Sequence, residues 1–141
     1  MLEYEMMLFF EEDNKVKQLP ARKFSQHSVF TKDITKLTDE IIARRSLNHD
    51  DVFIRVGLDG GGGFLKICLS VFEINNLTSC TSAVEKKYLD SGVKKVQIVA
   101  IAPDVPENYL NMKKLWIRSG IHNMKYKFTI ATDMKLINIL L

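Results

Sequence analysis

Four consecutive glycines, Gly60 to Gly63, stand between Asp59 and Phe64, and five of the chain's seven glycines fall between Gly57 and Gly63. Each glycine costs roughly 0.5 to 1 kcal/mol against alanine in a regular element, so such a run is expected to turn the chain rather than extend it. Upstream, Val52-Phe53-Ile54-Arg55-Val56-Gly57-Leu58 is β-branched and apolar on both parities, the pattern of a strand buried on both faces. Downstream, Leu65, Ile67, Leu69 and Val71 alternate with Phe64, Lys66, Cys68, Ser70 and Phe72, which is strand periodicity. Two strands joined by glycines predict a hairpin.

The rest of the chain is read around this hairpin. With 141 residues, 46% hydrophobic and 26% charged, it has the composition of one globular domain with a single core. That excludes a disordered tail, a collagen-like repeat and a disulfide scaffold. Residues 1–30 read as a poorly defined lead-in. Charges at Glu11, Glu12, Asp13, Lys15 and Lys17 run into Leu19-Pro20, Met6 to Phe10 need a cover, and His27 to Phe30 suit a short strand. Ile34, Leu37, Ile41 and Ile42 then mark an amphipathic helix, with Thr31 or Asp33 as N-cap and Arg44-Arg45 at its C-terminal end. Val96 to Ala102 is a third strand, ended by Pro103. Pro106 and Glu107 suit the first turn of a second helix, whose Tyr109, Met112, Leu115 and Trp116 keep helical spacing until Ser119-Gly120. Tyr126 to Ala131 is a fourth strand that delivers Thr132-Asp133. An apolar helix from Met134 runs to Leu141 without a polar terminus, the pattern of a chain cut inside a longer protein.

This order predicts an α/β fold with a mixed sheet: a three-strand meander, a crossover helix, and a fourth strand parallel to the first. That is the opening half of a ribonuclease H-like sheet, placed here in residues 31–141 as an incomplete domain. Adjacent parallel strands end at one edge, so Asp59 and Asp133 are expected to converge there. Two carboxylates suit Mg²⁺ or Mn²⁺, with Glu107 as a further acidic ligand. In a two-metal site the ions stand about 4 Å apart and stabilise both oxygens of a phosphoryl transfer. The ordinary alternatives are an Asp-Gly turn at Asp59, an N-cap at Asp133 and an acid favouring a helix dipole at Glu107. Gly60, Gly61, Gly62 and Gly63 either close their N–H groups on a phosphate, with Lys66 in reach, or form a bare turn.

Two resemblances bear on these residues. Asp59 to Lys66 resembles the first phosphate loop of actin, Hsp70 and sugar-kinase ATPases, Asp-x-Gly-Gly-Thr-x-x-Lys; Asp59, Gly61, Gly62 and Lys66 match, and Gly63 stands where Thr is usual. It implies a nucleotide as partner. A longer resemblance spans about Phe24 to Leu141 and is carried by Gly57 to Lys66, Leu89 to Lys95, Pro103 to Asn108 and Ala131 to Leu136. These segments look like a many-copy, transposon-derived family of arthropod and cnidarian proteins. If that family is of DDE-transposase type, the resemblance implies DNA as partner, with Asp59 and Asp133 as the first two metal-binding acids. A third acid would lie beyond Leu141, leaving this chain inactive alone. A domesticated binding or interaction domain is the other reading.

The remaining features narrow the class. The formal charge of +3 and pI near 8.8 are too mild to argue for nucleic acid by themselves. The lysine pairs Lys86-Lys87, Lys94-Lys95 and Lys113-Lys114 suit either a nucleic-acid path or solvated faces. Cys68 and Cys80 lack the ligand set of a zinc site and read as reduced thiols. His27, His49 and His122 read as surface residues, and Met112 and Trp116 as core. Met1 to Phe10 has no basic region ahead of its apolar run, and no stretch reaches about 18 apolar residues, so neither a signal nor a membrane span is read. The expected setting is intracellular, the nucleus included.

Overall fold

The computed structural model describes residues 2–11, 23–73 and 96–132. Six strands form one sheet in the order β1-β2-β5-β4-β3-β6. They are β1 Leu2–Phe10, β2 Lys23–Thr31, β3 Val52–Asp59, β4 Phe64–Glu73, β5 Gln97–Pro103 and β6 Phe128–Thr132; the helices are α1 Ile34–Arg44 and α2 Tyr109–Ser119. All neighbouring pairs are antiparallel except β3 and β6, which are parallel. The meander of three strands, the helix that follows it and the parallel fourth strand are therefore present, in a mixed α/β architecture.

Alternation explains which face each strand buries. Ile54, Val56 and Leu58 of β3 and Leu65, Ile67, Leu69 and Val71 of β4 point to one face and are buried there. Both helices add to that core, α1 through Ile34, Ile41 and Ile42 and α2 through Met112 and Leu115. On the other parity Phe53 and Gly57 are half-buried and Arg55 is exposed, so β3 is sealed on one face only among the described residues, not on both as its composition suggests. Arg55 instead lies over the ring of Phe72, 5.8 Å from its centroid.

Local chemistry sets the helix limits. Asp33 caps α1 by accepting the Lys36 N–H at 3.0 Å. Helix α2 starts later than Pro106 and Glu107 imply: its cap is Asn108, whose side chain accepts the Asn111 N–H at 2.9 Å, so Glu107 precedes the helix. Gly120 ends it at φ +76°, a left-handed conformation in which a side chain is strained.

The largest departure from the sequence reading is at the N-terminus. Instead of a lead-in with a short strand at His27, two nine-residue strands pair along their whole length, from Leu2↔Thr31 to Phe10↔Lys23. The hairpin extends the sheet beyond β5, and Phe9 and Phe30 join the core. The readings of Lys15 to Pro20, Cys80, the lysine pairs at 86–87 and 94–95 and the helix from Met134 lie outside the described residues.

At the opposite end of β3 from Asp59, a polar chain ties three elements together. The Tyr126 hydroxyl donates to Asp39 Oδ1 at 2.6 Å, Lys125 Nζ stands 3.1 Å from the same oxygen, and His49 Nδ1 lies 2.9 Å from the Tyr126 oxygen. The Tyr126 hydroxyl, then Lys125, hold the Asp39 carboxyl below its ordinary value. A depressed carboxyl contributes stability above its unfolded pKa, near 4, and that contribution is lost as pH falls through the lower folded value. Tyr126→Phe should return Asp39 toward the ordinary range in an NMR pH titration. It should also cost about 1 kcal/mol near neutrality, with the deficit shrinking in acid.

Candidate functional site

The glycine turn, the end of β3 and the segment leading into α2 meet at one edge of the sheet. Residues Gly61–Gly63 form a short 3-10 turn between β3 and β4, and Asp59 and Lys66 are register partners across the hairpin. The Asp59 carboxylate is held on both oxygens. Oδ1 accepts the Gly61 N–H at 2.8 Å, an Asp-Gly turn contact, and Oδ2 lies 3.1 Å from Lys66 Nζ. The backbone donor first, and Lys66 second, push the Asp59 pKa down, so the group is ionised at neutral pH. Its side chain is 48% exposed, which leaves it open to a ligand from solvent.

Glu107, which sequence reasoning attached to a helix turn, is brought to the glycine loop. A Cβ built on Gly60 would stand 2.5 Å from the Glu107 Cδ and 2.7 Å from its Oε2. A side chain at position 60 would therefore have to displace the Glu107 carboxyl. Gly62 and Gly63 have φ of +70° and +78°, the region that favours glycine, with open space where a Cβ would project. The loop is also fastened from the other side, since Gly63 O accepts the Asp104 N–H at 2.8 Å. Gly62 and Gly63 therefore have a reason in the backbone of the turn itself.

Parallel pairing brings the end of β6 beside the end of β3. Leu58 is the register partner of Thr132, and Thr132 Oγ1 donates to Leu58 O at 3.2 Å. The residues immediately before Asp59 and Asp133 are side by side and run in one direction; Asp133 itself lies outside the described residues. Asp59, Gly60 to Gly63, Lys66 and Glu107 are thus gathered at one edge. Among the described residues no group of three His, Cys, Asp or Glu side chains is arranged to hold a metal ion.

The histidines, Met112 and Trp116 sit elsewhere in the fold, while Cys68 lies two residues along β4 from Lys66. His27 stacks on Tyr4 with centroids 4.7 Å apart, His49 belongs to the Asp39 chain, and His122 is exposed. Met112 is buried, and Trp116 packs on the core and against Phe128. Cys68 is a half-buried free thiol whose pKa is raised, chiefly by burial. Sequence reasoning missed Asn111, which anchors the N-terminal hairpin. The only local signal was Asn108 three residues ahead of it, the spacing of a cap and the N–H it serves.

Among the described residues no helix is long and apolar enough to cross a membrane. Compared with family models, curated proteins and solved structures, the chain finds no match in any of the three.

Proposed function

We propose that this chain is part of a ribonuclease H-like, metal-dependent nucleic-acid-processing domain of transposase type, in which Asp59 and Asp133 hold Mg²⁺ or Mn²⁺. The observation that carries the reading is the parallel register of β3 and β6, which aligns Leu58, just before Asp59, with Thr132, the residue that precedes Asp133 in sequence. The order β5-β4-β3-β6 is also the order expected for the opening half of such a sheet. An ionised, half-exposed Asp59 is a suitable hard oxygen donor, and Glu107, whose carboxyl lies against Gly60, is a further acid at the same loop.

Lys66 has a defined part in this reading. Its ammonium occupies one carboxylate oxygen of Asp59, so a divalent cation at that oxygen displaces it. The freed lysine, two residues beyond the exposed Phe64, then serves a phosphate of the nucleic acid. Bound metal would polarise the phosphate and activate water; this chain's own residues hold the cation and neutralise the backbone charge.

Titration of the full chain with Mn²⁺ tests the reading. Asp59→Asn and Asp133→Asn should each weaken binding by tenfold or more (about 1.4 kcal/mol) while the circular dichroism spectrum is kept. Lys66→Met should tighten it by up to about fivefold, because a half-exposed ion pair is worth about 1 kcal/mol or less. Equal Mn²⁺ affinity in the wild type and both asparagine variants would sink the metal site.

A second reading, a nucleotide loop of the actin and sugar-kinase kind, draws on Gly62 and Gly63, which are exposed and open above their Cα atoms. ATP should then slow amide exchange across Gly60 to Gly63, and Asp59→Ala should abolish that protection. DNA binding that weakens with salt and survives Asp59→Ala would instead support a binding domain without catalysis.

A further inference from the structure

The β3–β4 hairpin has a second face, turned away from the helices. Phe53 and Phe72 are register partners on it, half-buried, with ring centroids 5.3 Å apart. Neither ring belongs to the core or packs against it among the described residues. Arg55, exposed at the next position of β3 on this face, holds its guanidinium 5.8 Å from the Phe72 centroid. Lys127 is exposed and precedes Phe128, the partner of Ile54, so its parity is that of Phe53. Gly57 follows Arg55 on the same face. Its φ is not positive, and an added Cβ would meet nothing nearer than 4.0 Å, so neither backbone nor packing demands a glycine there. The β3–β4 ladder also passes Gly57 without a bulge. A strand glycine that no bulge or bend explains marks a place where another molecule approaches closely. Among the described residues of β3, β4 and β6 the one acid on this face is Asp59, which Lys66 already neutralises at 3.1 Å.

We propose that this face binds single-stranded nucleic acid, with bases stacked on Phe53 and Phe72, phosphates at Arg55, Lys127 and Lys66, and the strand passing over Gly57. The charge of the face selects a polyanion, and its rings select this polyanion over an acidic peptide. Every base has a flat π-face that stacks on a phenylalanine or a guanidinium plane, whatever the sequence. A duplex keeps those faces stacked inside itself and cannot offer them. Phe53 and Asp59 are six residues apart along β3, roughly 20 Å at the strand rise, so a strand lying on this face leads to the candidate site. The inference rests on nucleic acid as the partner, which the metal-dependent and the binding-domain readings share, and the face itself uses no metal.

Fluorescence anisotropy of the full chain in EDTA, with a labelled mixed-sequence DNA strand about 12 nucleotides long, should show saturable binding that weakens with salt. The duplex of the same sequence should compete at least tenfold less well. Phe53→Leu and Phe72→Leu keep apolar volume and remove the ring, and each should weaken binding about tenfold. Arg55→Gln and Lys127→Gln should each make the log–log salt dependence shallower by about 0.7. Gly57→Val should weaken binding while the melting temperature is kept or raised. No binding of the single strand overturns the proposal, and so does equal binding of the duplex. Leucine variants that melt lower but bind DNA as the wild type does would give the two rings to the fold and also overturn it. Titration with Mn²⁺ separates this proposal from the metal reading. Mn²⁺ bound at Asp59 without any DNA binding in EDTA sinks the face alone, whereas DNA binding lost in the leucine variants of a chain that binds no Mn²⁺ upholds the face and sinks the metal.

Discussion

Replacing Asn111 by alanine should lower the unfolding free energy by about 3 kcal/mol, measured by urea denaturation at neutral pH. The side chain is fully buried at the start of α2 and treats the end of β1 as a neighbouring strand would. Its Oδ1 accepts the Phe10 N–H at 2.8 Å, and its Nδ2 donates to Phe10 O at 2.8 Å and to Pro106 O at 3.0 Å. Phe10 O keeps a donor in the Asn108 amide at 3.2 Å after the substitution, but the Phe10 N–H and Pro106 O lose theirs. A buried group left without its partner costs about 1 to 3 kcal/mol, and two such groups set the expected size. Asn111→Asp is the control for shape: it keeps the acceptor but turns a carboxylate toward two carbonyl oxygens, so it should destabilise at least as much. Asn111→Leu with wild-type stability would show that the pocket needs volume and not hydrogen bonds.

Phe30→Ala should cost about 3 to 5 kcal/mol, the range for removing a buried aromatic ring. Phe30 is 1% exposed, stands opposite Ala100 of β5 and carries the Arg118 guanidinium 4.2 Å from its ring centroid. Its position makes the loss local. The β1–β2 hairpin is paired along its whole length, yet among the described residues it joins the sheet through only Val29↔Ile101 and Phe30↔Ala100. Side chains complete that narrow seam: Phe30 in the core, Asn111 on the end of β1, Arg118 on Glu5 and Lys114 on the Leu8 carbonyl. Amide exchange should therefore accelerate in β1 and β2 first, with β3 and β4 retaining their protection. The Asn111→Ala, Phe30→Ala double variant should fall short of the sum of the two losses, because each releases the same hairpin. Full additivity, or uniform loss of protection across the sheet, would show that the hairpin does not open as a unit.

How much was legible followed the range of the interactions involved. The β3–β4 hairpin, the start of α1 at Asp33 and the stop of α2 at Gly120 depend on residues a few positions apart, where strand period, cap chemistry and a left-handed glycine act directly. The parallel approach of β6 to β3 also followed, since a strand that returns after a helix has few ways to rejoin its sheet. The N-terminal strand was hidden because its two parities are both apolar after Glu5, as Met6-Met7-Leu8-Phe9-Phe10 shows. Which parity faces the core was decided by α2, about a hundred residues later. Likewise, Glu107 read either as a further acidic ligand or as a helix-start acid, and only the fold sets its carboxyl against Gly60.

From the sequence alone came the turn at Gly60 to Gly63, the ionisable pair Asp59 and Lys66 flanking it, and the order of strands and helices. Those rest on backbone freedom and side-chain period, which act over a turn or two of chain. Only the tertiary structure decided that Gly60 stands against Glu107, that Lys66 already occupies a carboxylate oxygen of Asp59, and that Leu2, Tyr4, Met6 and Leu8 of β1 are left exposed. Those depend on which distant segments share a surface. That choice is made by burying one continuous core, and no local pattern carries it.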